Sequence, residues 1–241
     1  MKRHHPIMLA IATACALVIA SCATMPEKVR ADVRSVGVVS LLGDSVTLFY
    51  FGKFFDGHRN DYPVAGAGFD DMVERVVEAR VQQLRPGVAV KRIRIEKNEV
   101  IRQSTSGLLS MYNADVADIR AALRPWAAQN NVDTIVIIRQ INGAVPIQAP
   151  RSNFSGLGLY ASYDVQPPHP VASLGIVVWD GKTLDFITES ELFLVGYDPG
   201  AYTLDNKMQD NLAGARRERL LNSLRVLISR ATPVLMSRVG L

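Results

Sequence analysis

Two side chains in this sequence stand where covalent chemistry is easiest to place. Cys22 closes the run Ile19-Ala20-Ser21-Cys22, and Ser45 follows an apolar stretch within Gly43-Asp44-Ser45. A deprotonated thiol is a strong nucleophile and takes on covalent groups readily. A serine hydroxyl is weaker and needs a base within hydrogen-bond reach, with donors for the oxyanion that forms. The histidines available as bases are His4, His5, His58 and His169, and the cysteines are Cys15 and Cys22 alone.

The surroundings of Cys22 define its chemistry. Lys2 and Arg3 give a positive start, and Ile7 to Ala20 is a run of 14 residues without a charge. That length suits the apolar region of a signal peptide, whereas a spanning helix needs about 20 apolar residues. Small residues, Ala20 and Ser21, then precede the cysteine. The segment resembles the lipobox of bacterial lipoproteins: an aliphatic residue, two small ones, then Cys. The resemblance implies cleavage after residue 21, diacylglycerol on the Cys22 sulfur and an acylated amine. Several chains on one residue make a stable anchor where one alone is marginal. Ala23 is not the aspartate that retains many such proteins in the inner membrane, so the resemblance points to the periplasmic face of an outer membrane. Residues 1–21 are expected to be the signal, 22–34 a lipidated cysteine and tether, and 35–241 one periplasmic domain. A plain secretory signal and an uncleaved anchor are the rival readings.

The surroundings of Ser45 suggest a second chemistry. Gly43-Asp44-Ser45-Val46-Thr47 resembles the first block of the SGNH (GDSL-type) hydrolases. Asn142 follows an apolar strand, and Asp164 and His169 come later, in that family's order of Ser, Asn, Asp and His. The resemblance implies an esterase or acyl hydrolase. Ser45 would be its nucleophile, His169 its base, Asp164 the group that orients the base, and Asn142 an oxyanion donor. The chain departs from the pattern. Asp164 and His169 are five apart instead of three, and about 70 residues follow them. Gln140-Ile141-Asn142-Gly143 lacks the usual neighbours of the asparagine, and residues 46–51 read as a strand instead of a loop and helix.

Composition narrows the remaining classes. Without Cys15 and Cys22 the mature chain has no thiol, which excludes disulfides, cysteine-based zinc sites and a cysteine nucleophile. His58 and His169 lie far apart in sequence, so no metal and no cofactor are expected. Once Lys2 and Arg3 leave with the signal, 25 basic residues face 23 acidic ones. The arginines at 216, 217, 219, 225 and 230 fall on one predicted helix and read as a solvated face, so no nucleic-acid partner is expected.

The elements that must position these residues follow from apolar periodicity. Strands are expected at 35–42 and 45–51, joined as a hairpin through Gly43-Asp44, with a loop at 53–68. A helix is expected over 69–85, a strand at 88–96 that is bulged or at an edge, and a helix over 115–129 that Pro125 kinks or splits. A central strand at 134–138 precedes an insert over 141–170. A hairpin then turns at Asp180-Gly181-Lys182, and a helix from 208 to 230 is ended or kinked by Pro233. Hairpins mixed with crossovers give an α/β (α+β) fold, a mixed sheet with three main helices packed on it. The plan loosely resembles small periplasmic lipoproteins of envelope assembly, such as the curli-secretion and penicillin-binding-protein activator groups. The 30-residue insert, with five prolines, has two readings. It adds a strand at 157–165 that covers the domain's own core, or it presents Phe154, Leu157, Leu159, Tyr160 and Tyr163 to a partner. The function expected from all of this is a non-catalytic binding or envelope-assembly module, tied to the membrane by lipid and working on another envelope protein.

Overall fold

The computed structural model describes residues 33–53, 57–95, 114–144, 153–164, 167–198, 202–204 and 212–241. The leader, Cys22 and most of the tether lie outside the described residues. Among the described residues ten strands and three helices follow in order: β1 Ser35–Leu41, β2 Ser45–Phe51, β3 Gly57–Pro63, α1 Phe69–Leu84, β4 Ala89–Arg92, α2 Ala114–Asn130, β5 Thr134–Gln140, β6 Asn142–Ala144, β7 Asn153–Ser155, β8 Leu157–Ser162, β9 His169–Asp180, β10 Phe186–Val195 and α3 Gly214–Arg238. Eight strands form one mixed sheet, while β6 and β7 pair only with each other. This is the α+β arrangement that the sequence predicts.

The sheet is built on long strand lines that are broken in the middle. One edge of β9 carries β10 along residues 171–179. The other edge carries both β8, opposite residues 169–172, and β5, opposite residues 174–180. Since a strand has two edges, β5 and β8 lie end to end along one of them. The chain leaves this line after Ile141, makes the β6–β7 hairpin, and rejoins it at Gly156. The junction is closed by Ile141 N–H to Ser173 O at 3.1 Å, Ser173 N–H to Gly156 O at 2.8 Å and Gly156 N–H to Ile141 O at 3.2 Å. The next line repeats the device. β1 runs parallel to β5 and β2 parallel to β8, so β1 and β2 also follow one another end to end. On their outer side β4 pairs with β1 and β3 with β2.

The break between β1 and β2 falls at Leu42-Gly43-Asp44, where Gly43 takes a φ of 70°. Side chains take over where the ladder stops. The Leu42 N–H donates to Asp70 Oδ1 at 3.0 Å, and the Gln140 carboxamide donates to the Leu42 carbonyl. Buried backbone groups need such partners, because an unmade bond in the interior costs about 1–3 kcal/mol.

Alternation sorts the side chains into two faces. Val36, Val38, Leu48, Leu159, Leu174, Ile176 and Val178 meet α1 and α3 through Phe69, Val73, Val77, Leu224, Ile228 and Leu235. Val39, Ile135, Ile137, Val177 and Trp179 meet α2 through Ile119, Leu123 and Ala127. Beyond α2 that second face carries a smaller aromatic cluster of Phe154, Tyr160 and Val171, with Phe49, Phe193 and Val195 against it.

Two local expectations change and two narrow, since Pro125 does not split its helix and Pro233 does not end its own. Gly43-Asp44 does not make a hairpin: β1 and β2 share no ladder, because each finds a longer parallel partner in β5 or β8. The hairpin is β2–β3, and β3 falls within the expected loop. Its sequence Gly-His-Arg-Asn-Asp-Tyr-Pro has no apolar alternation, since it lies at the sheet's edge and is mostly exposed. Pro125 sits inside a continuous α2. Helix α3 passes Pro233 to Arg238, and Leu235, Met236, Val239 and Leu241 are buried beyond it. Each buried aliphatic side chain contributes roughly 1.5–3 kcal/mol, enough together to outweigh the ~3 kcal/mol that an internal proline costs. Strand β4 is an edge, as its mixed apolar phase suggests.

The close approach of β2 and β8 yields a prediction. A Cβ at Gly158 would lie 1.8 Å from the Thr47 carbonyl oxygen, which belongs to the neighbouring strand's backbone and has nowhere to move. Gly158→Ala is expected to lower unfolding free energy by about 3 kcal/mol or more in a urea titration, the upper range for overpacking.

Candidate functional site

The strand register decides whether the hydrolase constellation exists. Ser45 is exposed at the start of β2. His169 begins β9, opposite Tyr160 of β8, which in turn faces Phe49 of β2. Ser45 is therefore four residues along and two strands across from His169. That places the backbones about 13 Å apart along the strands and about 10 Å across them. A general base must come within about 3 Å of its proton, or reach it through one water. The imidazole is also engaged elsewhere: His169 Nδ1 donates to the Gly196 carbonyl at 3.2 Å, and the ring lies 5.8 Å from that of Tyr197. Asp164 accepts from the Ser162 hydroxyl. It lies past the far end of β2, where Tyr163 N–H bonds to Phe51 O. Asn142 opens β6, at the break in the sheet. The four residues thus share a sequence order but not a site.

The aromatic insert resolves mostly in favour of the domain's own core. Phe154, Leu157, Leu159 and Tyr160 are all buried, and only Tyr163 is exposed. Phe49 stacks on Tyr160 at 5.8 Å, and Phe154 meets Phe49 and Phe193 edge to face at 6.4 and 6.5 Å. The apolar content that made this segment resemble a docking loop is the inner lining of β8 and of the hairpin's base. Residues 145–152 and 165–166 lie outside the described residues.

At the opposite end of the strands the chain enters β1 through Val33 and Arg34. Asp133 grips that point: its Oδ2 accepts from Arg34 N–H at 2.9 Å, Ser35 N–H at 3.0 Å and the Ser35 hydroxyl at 3.1 Å. Lys182 Nζ stands 3.6 Å from Asp133 Oδ1. The Arg34 amide above all, then the Ser35 groups and Lys182, hold the Asp133 carboxyl below the usual aspartate range despite its partial burial. Beside it, Arg124, Asn131, Lys182 and Leu184 line a cleft of about 430 Å³ between the end of α2 and the β9–β10 turn. Asp180 Oδ1 ties that turn by accepting from Lys182 and Thr183 N–H, each at 2.8 Å.

The arginines of α3 are less free than a solvated face implies. Arg217 and Arg225 reach the carbonyls of Ala65 and Ala67, each at 3.2 Å, and Arg219 pairs with Asp198. Arg238 donates to the Glu191 carbonyl at 2.8 Å. These are staples between α3 and the loops and strand beneath it. Sequence alone gave no sign of them, because guanidinium-to-carbonyl contacts have no spacing rule. Among the described residues no three His, Cys, Asp or Glu side chains group as metal ligands, and no helix is long and apolar enough to cross a membrane.

No family model and no curated protein sequence matches the chain. Solved structures to which it is similar include protein XCC0632 from Xanthomonas campestris, at 9% identity and a TM-score of 0.38, covering 86% of this chain and 84% of that one. The PelC dodecamer from Paraburkholderia phytofirmans aligns at 10% identity and a TM-score of 0.36, covering 86% and 89%. Lipoprotein GNA1162 from Neisseria meningitidis aligns at 13% identity and a TM-score of 0.33, covering 84% and 98%. Likenesses of this size carry no functional inference.

The Asp133 clamp predicts a pH effect. A carboxyl whose folded pKa is depressed adds stability that is complete above its unfolded value, about 3.9, and is lost as pH falls through the folded value. Asp133→Asn should cost about 2 kcal/mol at pH 7, the scale of charged hydrogen bonds. Its deficit against wild type should shrink in urea titrations taken progressively below about pH 4.

Proposed function

We propose that this chain is a lipid-anchored accessory module of a bacterial envelope, held at Cys22 and acting by binding another envelope protein. The observation that carries the reading is the ordered leader: Lys2-Arg3, an uncharged run to Ala20, then Ile19-Ala20-Ser21-Cys22. The residue at 23 is Ala, which favours the outer membrane's periplasmic face. A tether over 22–34 reaches at most about 40 Å when stretched, so the body stays near the lipid surface. The separation of Ser45 from His169 supports binding over turnover.

Metabolic labelling with an alkyne-bearing palmitate checks this directly. The wild-type chain should take up label and pellet with membranes, and Cys22→Ser should lose the label. An unlabelled wild type or a labelled Cys22→Ser would contradict the anchor. Treatment with a fluorophosphonate should leave the chain unmodified; labelling that disappears in Ser45→Ala would favour the hydrolase reading instead.

A further inference from the structure

We propose that the outer edge of β10 takes an extended strand of a partner polypeptide, one that alternates basic and apolar residues. This deepens the binding-module reading above and rests on it.

The ladder fixes which backbone groups are open. Gly196 N–H donates to Pro170 O at 2.7 Å, continuing the β9–β10 register. Even-numbered residues of β10, Ser190, Leu192 and Leu194, therefore turn their N–H and C=O groups towards β9. Glu189, Glu191, Phe193 and Val195 turn theirs outwards. An independent contact agrees, because Arg238 reaches the Glu191 carbonyl from outside the ladder. Among the described residues no other hydrogen bond meets this outward row.

Among the described residues the other edges of the sheet are more heavily guarded than this one, whose only charges are Glu189 and Glu191. Strand β4 is four residues long and carries Lys91 and Arg92, while β3 carries Arg59, Asp61 and Pro63. Short length, charge and proline are the usual protections of an edge. Strand β10 is ten residues long with no proline, and its second half, Leu192 to Val195, is apolar.

Side chains specify what fits. On the α2 face Glu189 and Glu191 are exposed, and the nearest cation to Glu189 is Arg139, at a loose 3.8 Å. On the α3 face Leu192 and Leu194 are half-buried, and Val234, one turn before Arg238, is 42% exposed. An added strand would place basic residues against the two glutamates and apolar ones against Leu192, Leu194 and Val234. A second copy of this chain fits less well. Two-fold pairing along the whole row would set Glu189 and Glu191 of one copy opposite Val195 and Phe193 of the other, giving the glutamates no new cation.

Hydrogen exchange of the full-length chain, followed by NMR amide by amide, tests the proposal. The probe is a ten-residue synthetic peptide alternating lysine and valine, with a glutamate–valine peptide as its counterpart. The lysine peptide should slow exchange at Glu189, Glu191, Phe193 and Val195 by about tenfold or more, the effect expected when binding protects an open edge. The glutamate peptide should not. Replacing Glu189→Gln with Glu191→Gln should weaken the lysine peptide by about tenfold. Glu191→Pro removes only an outward N–H, and should abolish protection while the rest of the spectrum stays folded. Equal protection by both peptides, or none by the lysine peptide, overturns the proposal. So does concentration-dependent protection without peptide, which would make the occupant a second copy. Lipid labelling at Cys22 is read separately, so failure of the edge and failure of the anchor are distinguishable.

Discussion

The structure depends on how two strand lines are interrupted without losing their place in the sheet. At Leu42 the backbone leaves the β1 ladder, and two side chains distant in sequence meet its orphaned groups: Asp70 from α1 and Gln140 from the end of β5. Fifteen positions after Ile141, the returning chain at Gly156 packs against the same Gln140. A Cβ there would fall 1.7 Å from the carboxamide oxygen, and the residue's φ is +82°. One glutamine therefore stands at both breaks. Glycine at 156 is needed for its handedness and for the space it leaves.

The consequence for chemistry is separation. Because β2 and β8 continue the lines of β1 and β5, the sheet is long in the strand direction. Residues at the break, such as Ser45, are distant from residues at the far end, such as Asp164 and His169. The same geometry puts the start of β1 at one end, where Asp133 holds Arg34 and Ser35, and among the described residues leaves β10 as a long outer edge. What the described residues present is a long mixed sheet with an outward backbone row on β10.

Much of this was legible locally. Helix α1 announces itself through Phe69, Val73, Val76 and Val77 on one stripe. The unbroken run Ile135-Val136-Ile137-Ile138 marks a strand covered on both faces, and Asp180-Gly181-Lys182 marks the β9–β10 turn. Pairing was not legible. Gly43-Asp44 between two apolar strands carries the same signal whether the strands fold back or run on, and the choice is made by β5 and β8 more than 90 residues later. Strand β3 hid because an edge strand needs no apolar face. The core aromatics of the insert, Phe154 and Tyr160, looked available for a partner because composition cannot say which side of a sheet a residue faces. The open edge of β10 follows only from ladder parity, which no sequence pattern records.

Nuclear Overhauser contacts across the break test the central claim most directly. The interrupted-line arrangement predicts, in the same molecule, contacts from the Gln140 carboxamide protons to Leu42, from the Ile141 amide to Ser173, and from the Ser173 amide to Gly156. Cross-strand contacts joining β1 to β2 around Gly43-Asp44, or a contact between Ser45 and His169, would contradict it.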